Sequence, residues 1–127
     1  MSSLYIIIPA YNESENIEKT ISDWYPVVES HNEEGNSRLV IINDGSKDNT
    51  YDLVCRLAKK HPLLVSLTKP NGGHGSTVLY GYRYAIQNHA DYIFQTDSDG
   101  QTNSGEFESF WEKRDLYDAV LGDRRER

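Results

Sequence analysis

Short apolar runs, each stopping at a polar loop and each followed by a stretch of helical periodicity, recur along the whole chain. The first, Leu4-Tyr5-Ile6-Ile7-Ile8-Pro9, is apolar at successive rather than alternate positions. That pattern marks a strand covered on both faces, as in a parallel sheet. Leu39-Val40-Ile41-Ile42, Leu63-Leu64-Val65-Ser66-Leu67 and Tyr92-Ile93-Phe94-Gln95-Thr96 repeat it, and Ala119-Val120-Leu121 is a candidate fifth strand. Strands alternating with helices build βαβ units with right-handed crossovers. The expected fold class is therefore α/β, a Rossmann-like, mostly parallel sheet with helices on both faces. A length of 127 residues suits one domain.

The intervening segments carry helix signals. Asn12 followed by Glu15 has the form of a capping box, and Ile17, Ile21, Trp24 and Val28 then share one helical face. Pro26 is expected to end or kink that helix. Thr50 to Lys60 places Leu53, Val54 and Leu57 at helical spacing, with Pro62 blocking continuation. Ser76 to Asn88 carries Leu79, Tyr82 and Ile86 along one side, and Phe107, Phe110 and Trp111 mark a short last helix. Tyr5, Tyr80, Tyr82, Tyr84 and Tyr92 are assigned to core or amphipathic faces, whereas Tyr11 falls in a loop.

Composition removes several functions. Thirteen Lys and Arg against 20 Asp and Glu leave a net charge of −7 with no basic stripe, which argues against a nucleic-acid surface. An anionic ligand would have to be met by backbone dipoles or a metal. Cys55 is the only cysteine, so one chain can build neither a disulfide framework nor a thiolate cage, and a cytoplasmic setting is expected. The longest apolar run, Leu4 to Ile8, falls far short of the roughly 20 residues a membrane span needs.

Ligands of open α/β sheets bind where strands end, so the loops after the strands are the places to search. Asp97 and Asp99 stand two positions apart, which in an extended segment puts both carboxylates on one side. A hard cation, Mg²⁺ or Mn²⁺, bridging them to a nucleoside diphosphate suits that pair; a loop with helix-capping aspartates is the plainer reading. An EF-hand through Asp97, Asp99, Asn103 and Glu108 fails, because Gln101 and Thr102 occupy its Asp/Asn and Gly positions. Asp44 offers an acceptor to a ribose or base N–H, or else simply serves an Asp-Gly turn. Gly72, Gly73 and Gly75 opening a helix have the composition of a phosphate cradle or of a flexible connector. His74 is a phosphate or acceptor contact, or a solvated loop histidine.

In order and spacing, Pro9-Ala10-Tyr11-Asn12-Glu13, Asn43-Asp44-Gly45-Ser46-Lys47-Asp48-Asn49-Thr50 and Asp97-Ser98-Asp99-Gly100-Gln101 resemble the family 2 glycosyltransferases of GT-A fold, dolichyl-phosphate mannose synthase-like members among them. The resemblance implies that Pro9, Tyr11 and Glu13 line the nucleotide pocket, that Asp44 binds the base, and that Gly73 and Gly75 let the chain pass close to the nucleotide. It implies a DXD motif in which Asp97 faces the nucleotide and Asp99 the metal-bound diphosphate, with Arg124 near a phosphate or acceptor. The implied activity is inverting sugar transfer from a UDP- or GDP-sugar, aided by Mg²⁺ or Mn²⁺, to a glycan or lipid-linked acceptor. Members of the family run on well past the point where Arg127 stands, and their catalytic base and acceptor contacts lie there. By that reckoning this is the nucleotide-binding half of such an enzyme, binding donor but poor at transfer, acting at the inner face of a membrane through other segments, and prone to self-association.

Three rivals come from other classes. A dehydrogenase-type Rossmann domain needs a G-x-G-x-x-G after strand one, where Pro9-Ala10-Tyr11 stands instead. A receiver-like Mg²⁺-binding module needs aspartates at strand ends that strands one and three lack. A nucleotide-binding pseudoenzyme would keep the same motifs.

Overall fold

The computed structural model describes residues 3–33, 35–97 and 107–112. Within them lie four strands, β1 (Leu4–Ala10), β2 (Arg38–Asp44), β3 (Leu64–Lys69) and β4 (Tyr92–Gln95). Four helices accompany them: α1 (Ile17–Ser30), α2 (Thr50–Ala58), α3 (His74–Gln87) and α4 (Phe107–Glu112). The sheet is wholly parallel in the order β3-β2-β1-β4. That is the doubly wound Rossmann order, not the receiver order, in which β3 would pair with β1. The candidate strand at Ala119–Leu121 lies outside the described residues.

β1 is buried along its whole length, as its unbroken apolar run requires. Its alternate residues feed two cores. Leu4, Ile6, Ile8 and Ala10 join α1, α2 and α4 on one face, while Tyr5 and Ile7 join Val40, Ile42 and Ala85 of α3 on the other. Each fully buried Ile or Leu contributes about 1.5–3 kcal/mol. At the chain start the Ser3 amide donates to Asp91 Oδ2 (2.9 Å) and the Asp91 amide to Ser3 Oγ (3.0 Å), a reciprocal clasp that fixes β4 against β1.

Several local expectations change. The Asn12–Glu15 capping box does not form: α1 starts at Ile17, its N-cap Asn16 makes no side-chain cap bond, and Asn12 is turned to φ 53° to serve a different loop. Pro26 neither ends nor breaks α1, which continues to Ser30. The residue whose carbonyl loses its donor, Ser22, is exposed, so water can satisfy it. The strip Ile17, Ile21, Trp24 and Val28 is buried as expected.

α3 differs most. Leu79 and Ile86 of its apolar strip are 48% and 61% exposed, and the helix instead buries Thr77, Gly81 and Ala85. A Cβ on Gly81 would come within 2.4 Å of Ile7 Cγ2 and 2.6 Å of Ile42 Cδ1. Small residues thus let α3 approach the sheet closely, while Leu79 and Ile86 turn outward and Tyr82 and Tyr84 pack at the edge of that core.

The short α4 closes the opposite face through an aromatic cluster. Phe107 lies 5.1 Å from Phe94 and 6.1 Å from Trp24 by ring centroid, and Trp111 lies tilted 4.5 Å from His31. Glu108 accepts from His31 Nε2 at 2.9 Å, which removes it from any EF-hand arrangement.

Candidate active site

From β1 the chain steps to β2 and β3 on one side and then crosses back to β4 on the other. The crossovers therefore diverge between β1 and β4, the switch point at which doubly wound sheets open a crevice. A cleft of about 350 Å³ lies there. The end of β1 and its loop supply Pro9, Ala10, Tyr11 and Glu13; β2 supplies Asp44; the loop before α3 supplies Asn71 and Gly73; α3 supplies His74 and Thr77; the residue after β4 and Thr96 is Asp97.

Asp44 holds one wall together. It pairs in register with Lys69 across the ends of β2 and β3, and Lys69 Nζ lies 3.1 Å from its Oδ1. The Gly72 amide donates to the same oxygen at 2.9 Å and the Gly73 amide to Oδ2 at 3.1 Å. Asn71 Nδ2 donates to the Asp44 carbonyl at 3.0 Å. Burial by itself would raise the Asp44 pKa, but the Gly72 amide, Lys69 and the Thr77 hydroxyl outweigh it and lower it. Gly45, at φ 65°, makes the turn after Asp44, and a Cβ there would stand 2.5 Å from the Asn71 amide nitrogen. The Asp-Gly pair is thus a turn, as the plainer reading held, and an acceptor at the cleft as well.

A second set of bonds laces the loop after β1 to the loop after β2. Asn12 N donates to Ser46 Oγ at 2.9 Å while Asn12 Oδ1 accepts from Lys47 N at 2.8 Å. The Glu13 amide donates to Thr50 Oγ1 at 2.9 Å. Thr50 in turn donates its hydroxyl and its amide to Asp48, which also accepts from Ser14 N. The Thr50 hydroxyl is the main reason the Asp48 pKa falls to about 2. Tyr11, 43% exposed, is held at the cleft mouth by this lacing.

Asp97 faces α3 across the cleft, with His74 Nε2 3.7 Å from its Oδ1 and Gln95 Nε2 donating to that oxygen at 3.1 Å. α3 begins at His74 rather than Ser76, with Gly73 as N-cap, so its first turn points free N–H groups and the positive end of its dipole at this rim. Among the described residues no three His, Cys, Asp or Glu gather into a metal cage.

The structure thus brings Pro9, Tyr11, Glu13, Asp44, Gly73, His74 and Asp97 to one cleft. Gly75 does not line it; a Cβ there would meet nothing within 4 Å. Asp99 and Arg124 lie outside the described residues. Lys69, Asn71 and Thr77 escaped the sequence reading, although the register of parallel strand ends, which sets Lys69 beside Asp44, is a signal that could have found the first of them.

Comparison with known proteins gives a family and a fold. The glycosyl transferase family 2 model matches residues 5–127. A dolichyl-phosphate beta-glucosyltransferase of Trichomonas vaginalis is 36% identical over 111 residues, 84% of this chain and 32% of that protein. A UDP-N-acetylglucosamine–dolichyl-phosphate N-acetylglucosaminyltransferase of Methanococcus voltae is 29% identical, over 77% of this chain and 41% of its own. Among solved structures, the Pyrobaculum calidifontis mannosyltransferase PcManGT, in complex with GDP-Man and Mn²⁺, superposes with a TM-score of 0.65 at 25% identity, covering 77% of this chain and 28% of its own. S. aureus TarS shares the fold, with a TM-score of 0.64 at 17% identity, over 90% of this chain and 32% of its own. The chain spans about a third of the length of the first curated relatives it matches.

Proposed function

The chain belongs to glycosyl transferase family 2, and from that membership we propose that its cleft holds the nucleoside diphosphate of a sugar donor, with Mg²⁺ or Mn²⁺ at the Asp97 side. What carries the reading is one juxtaposition: Asp44, buried and accepting from the N-cap amide of α3, stands in the same cleft as His74 and Asp97. Tyr11 and Pro9 offer apolar surface to the base and sugar on the β1 side of the cleft. The diphosphate lies against the first turn of α3, where N–H groups and dipole favour an anion, and Gly73 without a side chain leaves it room.

Asp97 offers oxygens of the kind a hard divalent ion prefers, and by the family resemblance Asp99 would hold the ion with it. Bound there, the ion supplies charge stabilisation to the leaving diphosphate. In the whole enzyme an acceptor oxygen would attack the anomeric carbon as the bond to the diphosphate breaks, a hydroxyl acceptor passing its proton to a carboxylate and a phosphate acceptor attacking as its anion, and configuration would invert. The family resemblance assigns Arg124 to contact with a phosphate or the acceptor. Relatives named for dolichyl phosphate support a lipid-linked phosphate as acceptor, presented at a membrane surface. The chain spans about a third of those relatives' length, and the proposal is that on its own it binds donor without efficient transfer.

Thermal unfolding with UDP, GDP or NAD, each with Mn²⁺ or with chelator, tests this. A nucleoside diphosphate at a hundred times its dissociation constant adds about 2.7 kcal/mol, a midpoint rise of several degrees in a domain this size. The rise is expected with metal, reduced in Asp97→Ala, and absent with NAD. No rise with either diphosphate contradicts the reading.

A further inference from the structure

Among the described residues, α3 is the helix that covers its face of the sheet. Ala85 joins Tyr5, Ile7, Val40 and Ile42 there, and Gly81 sits against Ile7 and Ile42. What this close approach turns outward is apolar: Leu79 is 48% exposed, Tyr80 40% and Ile86 61%. Leu79, Arg83 and Ile86 follow one another at spacings of four and three, so they share one side of the helix, with Tyr80 beside them. Arg83 is exposed as well. Single apolar residues on a surface need no explanation, but a contiguous set on one helix face marks a binding surface.

Charge decides what that surface fits. All 20 Asp and Glu fall outside residues 53–90, a stretch that holds five of the 13 Lys and Arg and three of the four His. α3 lies wholly inside it, so its outer face carries an arginine and no carboxylate of its own, in a chain of net charge −7. Such an asymmetry along a sequence is a mark of membrane or polyanion contact. Leucine, isoleucine and tyrosine around a cation compose the face of a helix lying in the plane of a bilayer interface. There the apolar side chains enter the acyl boundary, the tyrosine hydroxyl stays among the headgroups, and the cation meets lipid phosphate. The acidic remainder of the chain is repelled by an anionic surface, which fixes the side that turns toward it. From exposure, spacing and charge together we infer that the outer face of α3 docks on the headgroup layer of an anionic lipid bilayer. Because His74 and Thr77 at the start of α3 line the cleft, this contact sets the cleft beside the headgroups, where a lipid-linked acceptor would stand. That consequence rests on the proposed donor site; the docking does not.

Flotation of the chain with vesicles of phosphatidylcholine, with and without phosphatidylglycerol and in the absence of nucleotide, tests the docking. The chain is expected to float with the anionic vesicles, and less so with phosphatidylcholine alone or at high salt. Joint Leu79→Glu and Ile86→Glu substitution is expected to weaken binding at least about tenfold, and Arg83→Glu to remove the preference for anionic lipid; circular dichroism checks that each variant is folded. No flotation of the wild-type chain, or equal flotation of the folded Leu79→Glu, Ile86→Glu variant, overturns the inference. So does a chain that leaves vesicles unbound and self-associates through this face, its dimer lost in the same variant, because a second copy then covers α3. Nucleotide binding measured by thermal unfolding reports on the cleft separately, so failure of the docking leaves the donor site standing.

Discussion

At the scale of single residues, two aspartates near the end of β2 act in opposite settings. Asp44 is buried at 4% exposure and collects donors from β3 and from the loop before α3. Its partner Lys69 is 12% exposed at the side chain, so loss of either charge would strand the other, the costly way to break a buried pair. Asp48 is exposed and works through hydrogen bonds to Thr50 and Ser14 that tie two cleft loops together. Its folded pKa of about 2 lies below the ordinary 3.8, so its stabilisation is complete above pH ~4 and is lost as pH falls from there toward 2. Asp48→Asn is expected to lose less stability than wild type across that window. Thermal midpoints of both proteins measured as a function of pH check this; parallel curves would show that the Asp48 charge does not matter to the lacing.

At the scale of elements, α3 carries the clearest lesson about reading periodicity. Leu79, Tyr82 and Ile86 have helical spacing, yet the helix packs by Thr77, Gly81 and Ala85. Apolar periodicity ranks faces by residue size, whereas the distance between a helix and a sheet can be set by an absence of side chain. Gly81→Ala is accordingly expected to destabilise. Better helix propensity returns about 1 kcal/mol, but a methyl forced against Ile7 and Ile42 costs about 1–3 kcal/mol. The net loss of about 1 kcal/mol would appear in denaturant unfolding as a lower midpoint with an unchanged slope; a gain in stability would refute the close approach. Other elements were legible because their signals are local. Four apolar runs announced four strands, and Ile17, Ile21, Trp24 and Val28 announced the buried face of α1. Pro26 misled because its cost depends on whether water reaches the freed carbonyl, a property of the fold and not of the proline.

At the scale of the molecule, the strand order places at one rim every loop that the sequence had marked. That Pro9, Tyr11, Glu13, Asp44, His74 and Asp97 would share one cleft was legible because each directly follows or faces a strand end. Asn71 and Thr77 were not, since their part follows from α3 starting at His74 and from the bend at Gly45 that brings the loop to Asp44. On the proposed reading, the acidic chain would meet an anionic ligand through backbone N–H groups and a helix end, in keeping with its lack of a basic stripe. The central claim is that this switch-point cleft receives a nucleoside diphosphate and a divalent ion. The most direct test is an amide NMR map of the labelled chain titrated with UDP and Mg²⁺, followed by a trace of Mn²⁺. The account predicts shifts concentrated at Tyr11, Glu13, Asp44, Gly72 to Thr77 and Asp97, with Mn²⁺ broadening strongest beside Asp97. Shifts gathered on another face, or Mn²⁺ broadening away from Asp97, would contradict it.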